Sequence, residues 1–74
     1  MKSKDLIRMA NQIGSFFAAY PRQEAIDSIA DHIRKFWDPR MRKQIFEQVA
    51  AGGEGLQELT LEAIRKVQKE TQPA

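Results

Sequence analysis

Two prolines and a glycine pair decide what this chain can fold into. Pro21, Pro39 and Gly52–Gly53 divide it into short stretches. Proline fits the first turn of a helix but not its interior, because it lacks an amide hydrogen and its ring meets the preceding turn. Glycine just past a helix adopts the left-handed conformation that closes it. Within each stretch the apolar residues recur at intervals of three and four, the signature of one helical face. No stretch shows the alternation or β-branched enrichment of a strand. The pattern predicts an all-α fold, a compact bundle of about four short helices forming a single domain over residues 1–74.

The first helix is expected from about Lys4 to Ala19, with Ser3 as its cap and Asp5 in its first turn. Leu6, Met9, Ala10, Ile13, Phe16, Phe17 and Tyr20 form its apolar stripe. The second runs from about Pro21 to Phe36 and presents Ala25, Ile26, Ile29, Ala30, Ile33, Phe36 and Trp37. Asp38 then caps a third helix that begins at Pro39 and carries Met41, Ile45, Phe46 and Val49. After the glycine loop, a fourth helix from about Leu56 to Lys69 offers Leu59, Ala63, Ile64 and Val67. Thr71-Gln72-Pro73-Ala74 is expected to fray.

Size sets a second limit. A chain of 74 residues buries a modest core, which rarely supplies more than ~3–5 kcal/mol without a disulfide, a metal or a partner. There is no cysteine, and the single histidine, His32, is too little for a zinc site. A partner subunit or a second copy of the chain is the remaining route. The charged start and the interruption of its apolar residues by Arg8, Asn11 and Gln12 leave no secretion signal, and no run approaches a membrane span. The chain reads as soluble and cytoplasmic.

Catalysis finds no footing. No serine or threonine lies in a recognisable elbow or triad, and His32 has no evident nucleophile to activate. Asp27 with Asp31, and Glu58 with Glu62, have helical spacing but lack the histidines of a di-iron site. Gly52-Gly53-Glu54-Gly55 precedes a helix, yet a phosphate loop needs a preceding strand and usually a lysine at the helix start. We therefore expect no catalytic, cofactor-binding or metal-binding residue in this chain.

Two features exceed what a small core needs. Phe36 and Trp37 sit among Arg34, Arg40 and Arg42, in a stretch from Arg34 to Lys43 with five cations, one acid and a local charge of +4. Aromatics and arginine concentrate at protein–protein interfaces. Trp37 fits either such an interface or the core. The second is a ridge on the first helix, Ile7, Asn11, Gly14 and Ala18, where Gly14 costs about 1 kcal/mol relative to alanine. Close approach of a partner backbone, with Asn11 bonding to it, would account for the glycine; a plain internal contact would too. Trp37, Arg40, Arg42, Arg34, Asn11 and Gly14 are thus the candidate partner-binding residues. The rival reading is a small helical DNA-binding regulator, with Arg40, Lys43, Gln44 and Gln48 on the third helix facing the groove.

A resemblance narrows the choice. Leu6-Ile7-Arg8-Met9-Ala10-Asn11-Gln12-Ile13 with Phe16-Phe17, then Ile29-Ala30-Asp31-His32-Ile33-Arg34-Lys35 and the more specific Phe36-Trp37-Asp38-Pro39-Arg40-Met41-Arg42, and finally Gly52-Gly53-Glu54-Gly55-Leu56, resemble the delta-subunit family of soluble NAD-dependent, molybdenum-containing formate dehydrogenases. The similarity covers about Leu6 to Ile64 without a clear departure from the family's pattern. It implies a non-catalytic subunit of a cytoplasmic oxidoreductase complex that converts formate to carbon dioxide and reduces NAD. The molybdenum cofactor, iron–sulfur clusters and FMN would lie on other subunits. The implied partner is the molybdenum-containing catalytic subunit, on which this chain would dock to support assembly or stability. The resemblance carries over no catalytic residue.

Overall fold

The computed structural model describes residues 2–71. Among them the chain forms four helices and no strand: α1 (Ser3–Phe17), α2 (Arg22–Phe36), α3 (Pro39–Ala50) and α4 (Glu58–Thr71). Of the tail expected to fray, Thr71 is instead the last residue of α4, and residues 72–74 lie outside the described part.

The punctuation acts where the residue types predict. Pro21 caps α2 from an extended conformation. Helix α1 ends at Phe17, two residues short of the expected Ala19, and tighter turns follow, the Ala18 amide reaching the Ser15 carbonyl at 3.3 Å and the Tyr20 amide the Phe17 carbonyl at 3.1 Å. Asp38 caps α3 by accepting a hydrogen bond from the Met41 amide at 2.9 Å, with Pro39 as the first helical residue. At the other end of α3 the Gly53 amide reaches the Gln48 carbonyl at 2.8 Å and the Gly52 amide the Val49 carbonyl at 3.0 Å. Both glycines have positive φ, and this paired closure satisfies carbonyls the helix cannot bond itself. The fourth helix begins at Glu58 rather than Leu56, because the loop needs residues 56 and 57 to complete its turn.

One expectation at the first helix fails. Lys2 holds the cap position, with no side-chain cap bond, and Ser3 is already helical. The Ser3 hydroxyl instead accepts from Gln44 Nε2 at 3.3 Å and Gln48 Nε2 at 3.1 Å, tying the start of α1 to α3. A tertiary contact has displaced the local one.

Helices α2 and α4 share the most extensive interface. Ala25, Ile26, Ile29, Ala30 and Ile33 of α2 and Ala63, Ile64 and Val67 of α4 are buried, and the alanines let the two backbones approach. Leu6 and Ala10 from α1, and Ile45 and Val49 from α3, complete the core. Each large side chain removed from water contributes roughly 1.5–3 kcal/mol. The radius of gyration is 11.1 Å, against about 11 Å for a globular domain of this length, so the chain closes its own interior.

A candidate docking surface between helices 1 and 2

The apolar stripe of α1 is longer than the core it faces. Leu6 and Ala10 are fully buried, but towards the C-terminus the stripe runs past its neighbours. Phe16 is 73% exposed, although its spacing assigned it to the buried face. On α2, Phe36 is 72% exposed, while Trp37, the next residue, is only 5% exposed. The backbone explains that contrast. Trp37 leaves the helix in an extended conformation (φ −89°, ψ 133°), which turns its indole inward while Phe36 stays on the helix surface. Trp37 is therefore a core residue, one of the two roles its sequence context allowed.

Between these helices lies an open cleft of about 390 Å³. Its floor and walls are Met9, Ile13, Phe17 and Trp37, with Gln12, Phe16 and His32 at the sides. The rings are mutually arranged: Phe16 meets Phe17 edge-on at 5.0 Å, and Phe17 meets Tyr20 edge-on at 5.6 Å. His32 lies 4.8 Å from the exposed Phe36 ring, tilted by 40°. The residues lining the cleft include no carboxylate and no cysteine. Such a surface offers apolar contact and a few polar edges; it has no nucleophile beside a base.

The other predicted site residues are distributed differently. Arg34 pairs through Nε with Glu70 Oε2 at 2.9 Å and approaches Asp31 at 3.5 Å, bridging α2 to the end of α4. Arg42 donates to the Arg34 carbonyl at 3.0 Å, holding the α2–α3 turn. Both side chains have structural work within the chain. Arg40 is exposed and enters no ion pair among the described residues. Lys43, one turn further along α3, is likewise exposed. The two glutamines of that helix turn towards Ser3 rather than standing open as a row of groove-facing polar groups.

The ridge on α1 turns towards the rest of the chain at Ile7, Asn11 and Gly14, while Ala18, just past the helix end, is exposed. Asn11 Nδ2 donates to the Gly55 carbonyl at 2.8 Å, and its Oδ1 accepts from the Gln57 amide at 3.0 Å. One side chain thus clamps the loop before α4. Gly14 is buried against Thr60, whose hydroxyl occupies the place a Cβ would take. The close backbone approach is real, and its partner is α4 of the same chain. Thr60 Oγ1 is fully buried and hydrogen-bonded to nothing among the described residues. It lies along a Gly14 Cα–H direction, where a weak C–H···O contact is the available compensation.

Away from the cleft, exposed ion pairs cross from α2 to α4: Arg22 with Glu58 at 3.1 Å, and Asp27 with Lys66. The Lys66 hydrogen bond, then that of Gln23, holds the Asp27 carboxyl below the usual carboxylate range. No group of three or more metal-ligating side chains is assembled among the described residues. Nor is any helix there long and apolar enough to cross a membrane.

These features define a small all-helical domain with an open apolar cleft between α1 and α2 and a more polar one, lined by Gln23, Ile26, Glu62, Arg65, Lys66 and Lys69, between α2 and α4. The chain belongs to the family of NADH-dependent formate dehydrogenase delta subunits, FdsD, whose model matches residues 5–64. No curated protein and no solved structure matches it. The matched span begins in the first turn of α1 and ends within α4, so it contains every residue of the apolar cleft.

Proposed function

We propose that this chain is a non-catalytic small subunit of a cytoplasmic formate dehydrogenase, docking on the molybdenum-containing catalytic subunit to support assembly or stability of the active enzyme. Family membership supplies the complex. The observation that carries the docking role is an unfilled apolar cleft lined by the exposed Phe16, with a second exposed ring, Phe36, stacked on His32 at its side. Scattered single apolar residues are ordinary on a surface, whereas apolar rings gathered around a concavity mark a contact site. On this reading the molybdenum cofactor, iron–sulfur clusters, flavin and NAD site belong to the other subunits.

The test is direct mixing. The purified chain and the purified catalytic subunit should co-elute in size exclusion with light scattering, at the mass of a complex. Coexpression should raise the yield or half-life of active enzyme. Separate elution at concentrations far above those in the cell, with enzyme yield unchanged when the chain is omitted, would remove the proposal.

A further inference from the structure

The side chains that line the cleft between α1 and α2 limit what it can take. None is a carboxylate, a lysine or an arginine, so a charged group seated there would shed water without gaining a counter-ion. Met9, Ile13, Phe17 and Trp37 offer apolar surface to an occupant. Gln12 and His32 add polar edges of another kind. His32 meets Phe36 through its ring, and the side chain of neither residue hydrogen-bonds to another described residue. Their donors and acceptors are therefore open to a partner. At about 390 Å³ the cleft stands near the lower end of the ~300–1,000 Å³ span of ligand clefts, room for a large anchoring side chain.

Resting on the docking role proposed above, we infer that the cleft receives a tyrosine or tryptophan side chain of the catalytic subunit. Its ring lies against Met9, Ile13, Phe17 and Trp37, and its hydroxyl or indole N–H bonds to Gln12 or His32. These two residue types join a large apolar body to a polar edge, the combination that complements this lining. Phenylalanine or leucine would fill the apolar part but leave Gln12 and His32 partly stripped of water and without a partner. Phe16, Phe17 and Tyr20 already meet edge-on, and a further ring extends that packing. Tyrosine and tryptophan are also among the residues on which binding energy concentrates at interfaces.

The experiment has two arms, both on the full chain. In the first, the free chain is titrated with p-cresol and toluene, the side chains of tyrosine and phenylalanine, and with 3-methylindole and its N-methyl derivative. Trp37 is the chain's only tryptophan, so its indole N–H resonance is a single reporter of the cleft. The probe that can donate a hydrogen bond should bind about three- to tenfold more tightly than its partner in each pair, the fold-change of one such bond. Q12L/H32L, checked for an intact fold by melting, should lose the preference and keep toluene binding. In the second arm, Phe16→p-benzoylphenylalanine is photo-crosslinked to the full catalytic subunit and the captured peptide is identified by mass spectrometry. It should contain a tyrosine or tryptophan whose replacement by alanine weakens docking at least about tenfold. F16A/F36A, which strips both exposed rings, should weaken docking to a similar degree.

Toluene bound as tightly as p-cresol, or no probe perturbing Trp37, overturns the inference and leaves the docking role standing. A captured peptide without tyrosine or tryptophan overturns it too, as does full-strength docking of F16A/F36A, which would take the partner off the cleft. A free chain that runs as a dimer in light scattering and becomes a monomer in Y20A, while still binding the catalytic subunit, assigns the cleft to a second copy instead. Probes bound as expected, with no binding of the catalytic subunit, would strike the docking role and this inference with it.

Discussion

Helix α1 meets the rest of the chain along two edges, and they are finished in opposite ways. Towards α4 and its preceding loop, Asn11 makes two hydrogen bonds to main chain and Gly14 brings the backbones together over Thr60. Towards the C-terminal half of α2, the same helix leaves Phe16 exposed and Phe17 half-buried beside a cleft. Short helices of one amphipathic type thus produce both a sealed seam and an open one. What separates them is residue size and polar reach. A glycine and a bonding amide close one edge, while bulky rings line the cleft at the other.

The largest effect tests whether the cleft's floor belongs to the fold. Trp37→Ala should destabilise the chain by about 3–5 kcal/mol, since a buried indole is removed and leaves a void. Phe36→Ala, one residue away, should change stability by no more than about 0.5 kcal/mol, as expected for an exposed position. Denaturant unfolding of both variants measures the contrast. Equal losses would break the distinction between the buried indole and the exposed ring beside it.

That pair also marks where sequence reasoning stops. The helices themselves were legible, because Pro21, Pro39 and Gly52–Gly53 act through local backbone geometry. The Asp38 cap was legible for the same reason. A helical periodicity, however, puts Phe36 and Trp37 on one stripe; only the extended backbone at Trp37 sends them to different environments. Phe16 shared a stripe with Leu6, and no spacing rule states where the facing helix ends. Arg34 looked available because Glu70 lies 36 residues away. Ser3 looked like a cap because Gln44 and Gln48 lie 41 and 45 residues away. Local chemistry was readable; long-range pairings that override it were not. The cleft, made by α1 ending early and Trp37 turning inward, had no signal in periodicity beyond a surplus of aromatic residues.

The sealed edge is tested next. Gly14→Ala should lower stability by about 1–3 kcal/mol through overlap with the Thr60 hydroxyl, despite alanine's helix preference of about 1 kcal/mol. Thr60→Ala removes the obstructing oxygen and leaves the nearest remaining side-chain atom at a normal contact distance. In that background Gly14→Ala should be neutral or stabilising. A double-mutant cycle by denaturant unfolding gives the coupling directly. Additive losses in the cycle would mean that the glycine serves some other need than proximity to Thr60.

The smallest effect separates rigidity of the sealed edge from global stability. Asn11→Ala removes two hydrogen bonds between α1 and the loop at residues 55–57, both partly open to water, and should cost about 1 kcal/mol. The buried contacts of α4 do not depend on it, so the loss should be local: faster amide exchange at Gln57, whose hydrogen donates to the Asn11 carbonyl oxygen, with α2 and the buried part of α4 unchanged. The cleft lies on the other edge of α1, so binding of the catalytic subunit should be unaffected. If Asn11→Ala instead weakened docking as strongly as F16A/F36A, the two edges of α1 would be one coupled surface, and the sealed seam would hold the open one in shape.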